Sequence, residues 1–322
     1  MGKTAKKVKK FAIGAGLAYL GIGELVYENV LNIRLNELIR KTGLFDDKEE
    51  GEIWDSFELK KEADAWYDAQ TCADTVFFSN RLHRNTFAKV FFADEKTDRF
   101  VICVHGYSDT PKNMAHWIIK YLSMGFNVIA PYMVGHGPDN RHYCSMGYYD
   151  RYVVLDWIDY CFEINKDARI VIHGVSMGAA TTMMATGEDL PSNVIAAVAD
   201  CGYTSCWEEY YSQVGPMLHL SAVALPLLTA ANTVSKLRGN FDFKEAAPIK
   251  AVVNSVTPTL FIHGSGDTFV PYEMMQPLYE ACGAPDKEML TVPDAIHAAA
   301  AFYDNDLYWN TVKKFLGKYN LV

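Results

Sequence analysis

One serine in this sequence stands in the pattern that an activated nucleophile requires. Residues 174–178 read Gly-Val-Ser-Met-Gly and fit the motif Gly-x-Ser-x-Gly around Ser176. A β-branched stretch over 168–172 precedes the motif, and a run of small residues follows it to about residue 186. A strand before Ser176 and a helix after it would hold the hydroxyl on a sharp turn at the edge of a sheet. The competing interpretation is a helix-capping serine in a glycine turn.

A serine hydroxyl is a weak nucleophile at neutral pH, so it needs a general base, and that base needs an orienting carboxylate. After a motif of this kind the chain order is acid, then histidine. Asp267 closely follows the apolar run 258–262, and of the nine histidines only His297 comes after it. Order and position therefore select Asp267 as the acid and His297 as the base. Asp200, at the end of the run 194–199, is the second candidate for the acid.

The tetrahedral intermediate of acyl transfer needs backbone N–H groups to bind its negatively charged oxygen. One donor should be Met177, which directly follows the serine, and the other should lie in the loop after residues 99–104. Within that loop we choose the N–H of Tyr107. We interpret four further histidines as structural groups that brace loops or pack at strand ends: His105, His136, His173 and His263.

Further motifs strengthen this interpretation by their resemblance to one family. They are His105-Gly106, Gly135-His136-Gly137-Pro138, the serine motif, the segments 200–205 and 263–271, and His297. Together they resemble the α/β-hydrolases over about residues 70–320, in particular bacterial members near the monoacylglycerol lipases and serine aminopeptidases that have an N-terminal hydrophobic segment.

The resemblance implies a serine hydrolase in which Ser176 is the nucleophile, Asp267 the acid and His297 the base. It also implies Tyr107 and Met177 as the donors to the oxyanion. Two positions depart from the family pattern. Ile296-His297-Ala298 stands where many relatives have Gly-His-Gly or Gly-His-Ser, and Val134 stands where relatives usually carry arginine. Both changes leave the catalytic groups in place but could reshape the acyl pocket.

The elements that must position these residues alternate along the chain. Strands are predicted over 75–79, 86–92, 99–104, 127–132, 168–172, 194–199, 258–262 and 288–292. Helices are predicted over 111–124 and 148–164, from the serine motif to about residue 186, and over 307–319. This alternation predicts a mainly parallel sheet with helices on both faces, and the resemblance implies that it is the eight-stranded sheet of the α/β-hydrolase fold.

One long insertion interrupts the alternation. Residues 203–247 lie between two predicted strands, and residues 210–235 carry no Asp, Glu, Lys or Arg. Gly215, Pro216, Pro226 and Asn232 weaken a transmembrane interpretation, and strands of one sheet flank the segment on both sides. The insertion is therefore predicted to be an apolar helical cap over the carboxyl edge of the sheet, where open α/β sheets bind ligands.

The amino terminus combines a basic start with an apolar stretch. Lysines at positions 3, 6, 7, 9 and 10 precede residues 11–23, which carry no charge. Three interpretations fit: a membrane anchor reaching to about Asn32, an amphipathic surface helix, or an ordinary helix packed on the body. We favour the anchor, which predicts localisation at the cell membrane with the body outside the cytoplasm; a cytoplasmic protein is the alternative. The predicted organisation is a basic and hydrophobic segment over 1–32, a linker over 33–69, and a hydrolase domain over 70–322 that contains the cap.

Composition limits the partners. The chain of 322 residues has a net charge of −9, which disfavours a nucleic acid as the ligand. The seven cysteines are odd in number, and their spacing suits no zinc site, so we expect buried free thiols, no metal and no cofactor. The expected partner is a small acyl ester or a short peptide, with possible membrane contact through the amino terminus. Cysteines of this kind fit an oxidising exterior poorly, which conflicts with the predicted anchor.

The sequence thus predicts a serine hydrolase that cleaves carboxylic esters through an acyl-enzyme, with activity falling below about pH 6 as His297 becomes protonated. The alternative is a peptidase or amidase of the aminopeptidase type, which would need acids near the cap to bind a free amino terminus. Glu208 and Glu209 are the candidates, although helix carboxylates at such positions are usually solvated. A non-catalytic binding module is the third hypothesis, and the complete triad argues against it.

Overall fold

The structure is a computed structural model that describes residues 3–40, 48–70, 74–139, 142–218 and 221–322. Its strands are β1 (Asp74–Ser79), β2 (Asn85–Phe91), β3 (Arg99–Val104), β4 (Asn127–Pro131), β5 (Arg169–Val175), β6 (Val194–Asp200), β7 (Thr259–Gly264) and β8 (Lys287–Val292). They form one eight-stranded sheet in the order β1-β2-β4-β3-β5-β6-β7-β8.

Burial explains the character of each strand. In the sheet order β4-β3-β5-β6-β7-β8, every neighbouring pair of strands is parallel. The strands from β3 to β7 are nearly continuous apolar runs because helices cover both faces of the sheet. β1 pairs antiparallel with β2, and β2 antiparallel with β4, and the side chains of β2 alternate between buried and less buried positions. All eight predicted strands are confirmed. β5 is longer than expected, and because it extends to Val175 it ends directly at the serine.

The helices complete the layers. They are α1 (Lys3–Leu31), α2 (Ile33–Arg40), α3 (Lys48–Ser56), α4 (Glu58–Asp68), α5 (Ala115–Ser123), α6 (Asp150–Ile164), α7 (Met177–Thr186), α8 (Cys206–Leu218), α9 (Ser221–Val234), α10 (Pro248–Ala251), α11 (Met275–Ala281), α12 (Ala300–Tyr303) and α13 (Asn305–Gly317). One core lies under α6 and α7 and contains the fully buried Trp157. The core on the opposite face lies under α5 and α13 and contains Trp117 and Phe315.

The insertion between β6 and β7 is helical. α8 and α9 make up most of it, followed by a short π-helical turn over Ser235–Gly239. Buried side chains of α9, such as Leu228 and Ala231, belong to the same core as β3 and β5. The uncharged segment is therefore packed on the body of the protein in its described residues, and the hydrophobic effect accounts for its composition.

The second half of α1 packs against the body of the protein. Tyr27 and Leu31 are buried in the core, and Arg238 forms ion pairs with Glu24 and Glu28. Gly23 allows a close approach, because a Cβ there would lie only 2.5 Å from the carbonyl oxygen of Ala230 in α9. From about residue 23 onward, α1 is a helix packed on the body, which was the third interpretation of this stretch.

In the described ranges, no helix is both long enough and apolar enough to cross a membrane. The predicted linker contains α2, α3 and α4, and its residues 41–47 lie outside the described part of the chain. Six cysteines are free and buried, as the sequence predicted; Cys72 lies outside the described residues.

Candidate active site

Ser176 sits on a strained turn between β5 and α7. Its φ of 57° and ψ of −119° are unfavourable for a residue with a side chain, and such strain is typical of nucleophiles on strand-to-helix turns. Glycine is needed on both sides because strand and helix approach closely. A Cβ at Gly174 would lie less than 3.0 Å from the carbonyl oxygen of Gly178, and a Cβ at Gly178 equally close to that of Val104.

A continuous chain of hydrogen bonds joins the three residues that the sequence selected. The hydroxyl of Ser176 donates to Nε2 of His297 at 2.8 Å, and Nδ1 of His297 donates to Oδ2 of Asp267 at 2.7 Å. Ser176 and Asp267 are buried, and the side chain of His297 is 14% exposed. The structure therefore brings together residues from the ends of β5 and β7 and from the loop after β8, which are separated by up to 121 positions along the chain.

Asp267 is held by two backbone donors and a second histidine. Its Oδ1 accepts from the N–H groups of Phe269 at 3.0 Å and Val270 at 2.9 Å, and Nε2 of His263 lies 3.1 Å from Oδ2. Burial raises the pKa of this carboxyl, but His297 and His263 outweigh burial and hold the pKa below its usual value. Asp267 therefore stays ionised at neutral pH and can stabilise an imidazolium.

His263 has a role that its position in the sequence did not predict. It is packed and hydrogen-bonded, as predicted, but one of its partners is the carboxylate of Asp267. The spacing of four residues between His263 and Asp267, across the end of a strand, was the available signal. We assign His263 as a positioning residue, because it orients the carboxylate and not the reacting atoms.

His297 has opposing influences on its protonation. Burial lowers the pKa of its imidazole, but the neighbouring Cys201 and Asp267 outweigh burial and raise that pKa well above its ordinary value. Among the described residues, Cys201, Asp267 and His297 are the group whose donor atoms could hold a metal ion, since these atoms lie within 4.8 Å of one another. A metal ion there would bind Asp267 and His297, the two residues whose side chains continue the hydrogen-bond chain from Ser176.

Asp200, the second candidate for the acid, is hydrogen-bonded to Tyr308 and not to the imidazole of His297. Its Oδ2 accepts a hydrogen bond of 2.8 Å from the hydroxyl of Tyr308 in α13. That hydroxyl also bonds Trp117 at 3.1 Å and His173 at 2.9 Å, so Asp200 belongs to a buried network between the sheet and the helices of one face. Burial raises the pKa of Asp200 to about 6.

The loop after β3 lies beside the serine. A Cβ at Gly106 would lie 3.4 Å from the Cβ of Ser176, so Tyr107 follows at the position where an oxyanion donor is expected. The hydroxyl of Tyr107 donates to the carbonyl of Val30 at 2.9 Å and ties this loop to the end of α1. Met177, the other predicted donor, is buried at the first position of α7.

Two histidines brace the same loop, as the sequence predicted. Nε2 of His105 accepts from the N–H of Met133 at 3.0 Å, and its Nδ1 donates to the carbonyl of Gly106 at 2.8 Å. His136 has the same arrangement. Its Nε2 accepts from the backbone N–H of Ser108 at 3.0 Å, and its Nδ1 donates to the backbone carbonyl of Val134 at 2.9 Å. Burial lowers the pKa of His105 to about 3 and of His136 to about 4, so both rings are neutral and each keeps one acceptor nitrogen.

Known proteins resemble this chain in sequence and in fold. A family model described as the α/β-hydrolase fold matches residues 99–217. The uncharacterized protein YqkD of Bacillus subtilis is 25% identical over 267 residues, which cover 81% of this chain and 87% of that protein. A thermostable monoacylglycerol lipase of Bacillus sp. strain H-257 is 25% identical, over 68% of this chain and 90% of its own length. The esterase Pf2001 of Pyrococcus furiosus superposes with a TM-score of 0.61 at 21% identity, over 78% of this chain and 94% of the esterase.

The sheet order, the strained serine turn and these similarities agree on one fold. The chain has the α/β-hydrolase fold.

Proposed function

We propose that the protein is a serine hydrolase that cleaves carboxylic ester bonds through an acyl-enzyme intermediate. The observation that carries the proposal is the uninterrupted relay from Ser176 through His297 to Asp267, with hydrogen bonds of 2.8 and 2.7 Å. Each member has the polarity that its role needs: an O–H donor, an imidazole with one acceptor nitrogen, and a carboxylate kept ionised by its neighbours.

In the first half-reaction, Oγ of Ser176 forms a bond to the acyl carbon while its proton passes to Nε2 of His297. The carbonyl oxygen becomes an oxyanion that accepts hydrogen bonds from the backbone N–H groups of Tyr107 and Met177. Asp267 stabilises the imidazolium and keeps its Nδ1–H directed away from the serine. The bond between the acyl carbon and the alcohol oxygen then breaks, and the leaving alcohol takes the proton from Nε2.

In the second half-reaction, His297 removes a proton from water, and the resulting hydroxide attacks the acyl carbon. The bond to Oγ breaks, Ser176 recovers its proton from Nε2, and the carboxylic acid leaves. In this function, residues 203–247 cover the site as a cap. Because its described residues in α9 are mostly apolar, a short- to medium-chain or aryl acyl group fits the site best.

The test is hydrolysis of p-nitrophenyl esters from acetate to long acyl chains by the wild type and by Ser176→Ala. We expect turnover by the wild type, with an optimum at a short or medium chain, and turnover near background for the variant. Labelling by a fluorophosphonate should occur in the wild type and be absent in Ser176→Ala. Equal activity of the two folded proteins would remove Ser176 as the nucleophile, and absence of both turnover and labelling would reject a serine hydrolase.

A further inference from the structure

Two consecutive glutamates in the first turn of α8 have opposite environments. Glu208 is exposed, whereas Glu209 is only 3% exposed. The expectation that both are solvated surface charges is therefore wrong for Glu209. The sequence could not separate them, because burial depends on which side of α8 faces the body of the protein.

The carboxylate of Glu209 is buried without a hydrogen-bond partner. Neither of its oxygens has a bond of normal geometry to any described residue, and the hydroxyl of Tyr203, on the segment leading into α8, is also buried and unpaired. A buried polar group without a partner is costly, so native proteins seldom keep one unless a ligand or water satisfies it.

The helix geometry directs this carboxylate toward the catalytic relay. Gln213 lies one turn after Glu209 and donates its side-chain amide to the carbonyl of Phe269. The ring of Phe269 in turn packs against His297, with 4.9 Å between the ring centres. Residues four apart share one face of a helix, so Glu209 and Gln213 both face the loop of Asp267 and the imidazole of His297.

The electrostatics of the surroundings favour a positively charged partner. Burial raises the pKa of Glu209 to about 8; the imidazole of His297 and the side-chain amide of Gln213 oppose this shift, and the carboxylate of Asp267 adds to it. The carboxyl groups of Glu209 and Asp267 therefore both interact electrostatically with the imidazole of His297, and Glu209 is mostly protonated at neutral pH when no cation is bound. A ligand that carries both a positive charge and N–H donors would ionise Glu209 and donate hydrogen bonds to its two oxygens.

We propose that Glu209 forms a cation subsite beside the scissile bond, and that it selects ester or amide substrates carrying a protonated amine. The inference rests on the proposed function for its substrate, but the subsite itself can be tested by binding alone. The two carboxylate oxygens accept hydrogen bonds from the N–H groups of the ammonium, while the neutral remainder of the substrate contacts the apolar cap.

The experiment compares n-alkylammonium ions with n-alkanols of the same length as competitive inhibitors of p-nitrophenyl butanoate hydrolysis. For the wild type, we expect the best ammonium ion to bind about tenfold or more tightly than its matching alcohol. Glu209→Gln has the same shape without the charge and should remove this preference. Glu208→Gln, on the exposed neighbouring position, is the matched control and should keep the preference and the wild-type rate.

Several outcomes would overturn the subsite. Equal binding of ammonium ions and alcohols by the wild type would show that the cap accepts a hydroxyl group or no polar group. Equal loss of preference in both glutamine variants would show a general effect of net charge. Thermal melting checks that Glu209→Gln folds, and Glu209→Met provides a second uncharged variant. If the wild type hydrolyses no ester, calorimetric titration with the same ammonium ions still tests the subsite, so its failure and failure of the esterase are separable.

Discussion

Replacing Asp267 by asparagine tests the relay sharply, because the surroundings select one orientation of the new amide. Oδ1 of Asp267 accepts the N–H groups of Phe269 and Val270 at 3.0 and 2.9 Å. An asparagine keeps these two bonds by placing its carbonyl oxygen there, so its NH₂ group faces Nδ1 of His297. Nδ1 must then accept, and the ring proton moves to Nε2. With a proton on Nε2, His297 cannot take the proton of Ser176.

The expected loss in kcat is about 10⁴-fold, which is the cost of the wrong tautomer in a Ser-His-Asp triad and corresponds to about 5.5 kcal/mol. The fold should lose less. The new NH₂ group would also face Nε2 of His263, which is 3.1 Å from Oδ2 in the native protein. One buried hydrogen bond is thereby lost, at a cost of about 1–3 kcal/mol in the free energy of unfolding.

The assay is kcat for p-nitrophenyl butanoate on the high-pH plateau of the wild-type rate, because the pKa of His297 is raised above its ordinary value. Asp200→Asn is the matched control, since it is the same substitution at a buried carboxylate that bonds Tyr308 and not His297. We expect this control to keep kcat within about tenfold of the wild type. Retention of more than about a tenth of kcat by folded Asp267→Asn would show that Asp267 does not set the tautomer of His297, and so would an equal loss in Asp200→Asn.

Three further predictions follow from the same contacts. The rate of ester hydrolysis should rise with pH through the pKa of His297. Because Cys201 and Asp267 outweigh burial and raise that pKa, we expect the midpoint of the rise above about pH 6.5. A rate that stays unchanged down to about pH 5 would exclude His297 as the base. Gly178→Ala should lower the free energy of unfolding in urea by about 3 kcal/mol, since its Cβ would overlap the backbone of Val104. Gly21→Ala, in α1 with open space around it, should instead raise that free energy by about 0.5–1 kcal/mol, and equal effects of the two substitutions would contradict the packing of the serine turn. Tyr308→Phe should cost about 1–3 kcal/mol in the same measurement because it leaves Asp200 buried without its hydrogen bond; no change in stability would mean that the network does not support the fold.

The identity of the relay could be predicted from the sequence because its signals are local and ordered. Each candidate follows a short apolar strand, the chain order of acid and base is set by the fold, and a single histidine remains after Asp267. The strands themselves are recognisable because a parallel sheet buried on both faces requires continuous apolar runs. The motif also predicts the strained turn, since the glycines at 174 and 178 are the residues that permit the close approach of β5 and α7.

The remaining features depend on contacts between distant segments, and periodicity along one segment does not specify its partner. The apolar stretch of α1 does not specify its partner, and the packing of Gly23 against α9 and of Tyr27 in the core is visible only in the tertiary structure. The same holds for α8, where two adjacent glutamates are chemically identical until the body of the protein covers one side of the helix. Burial of Glu209 next to His297 is therefore a property of the tertiary structure: desolvation arises from the whole surroundings of a group, whereas the sequence shows only its neighbours along the chain.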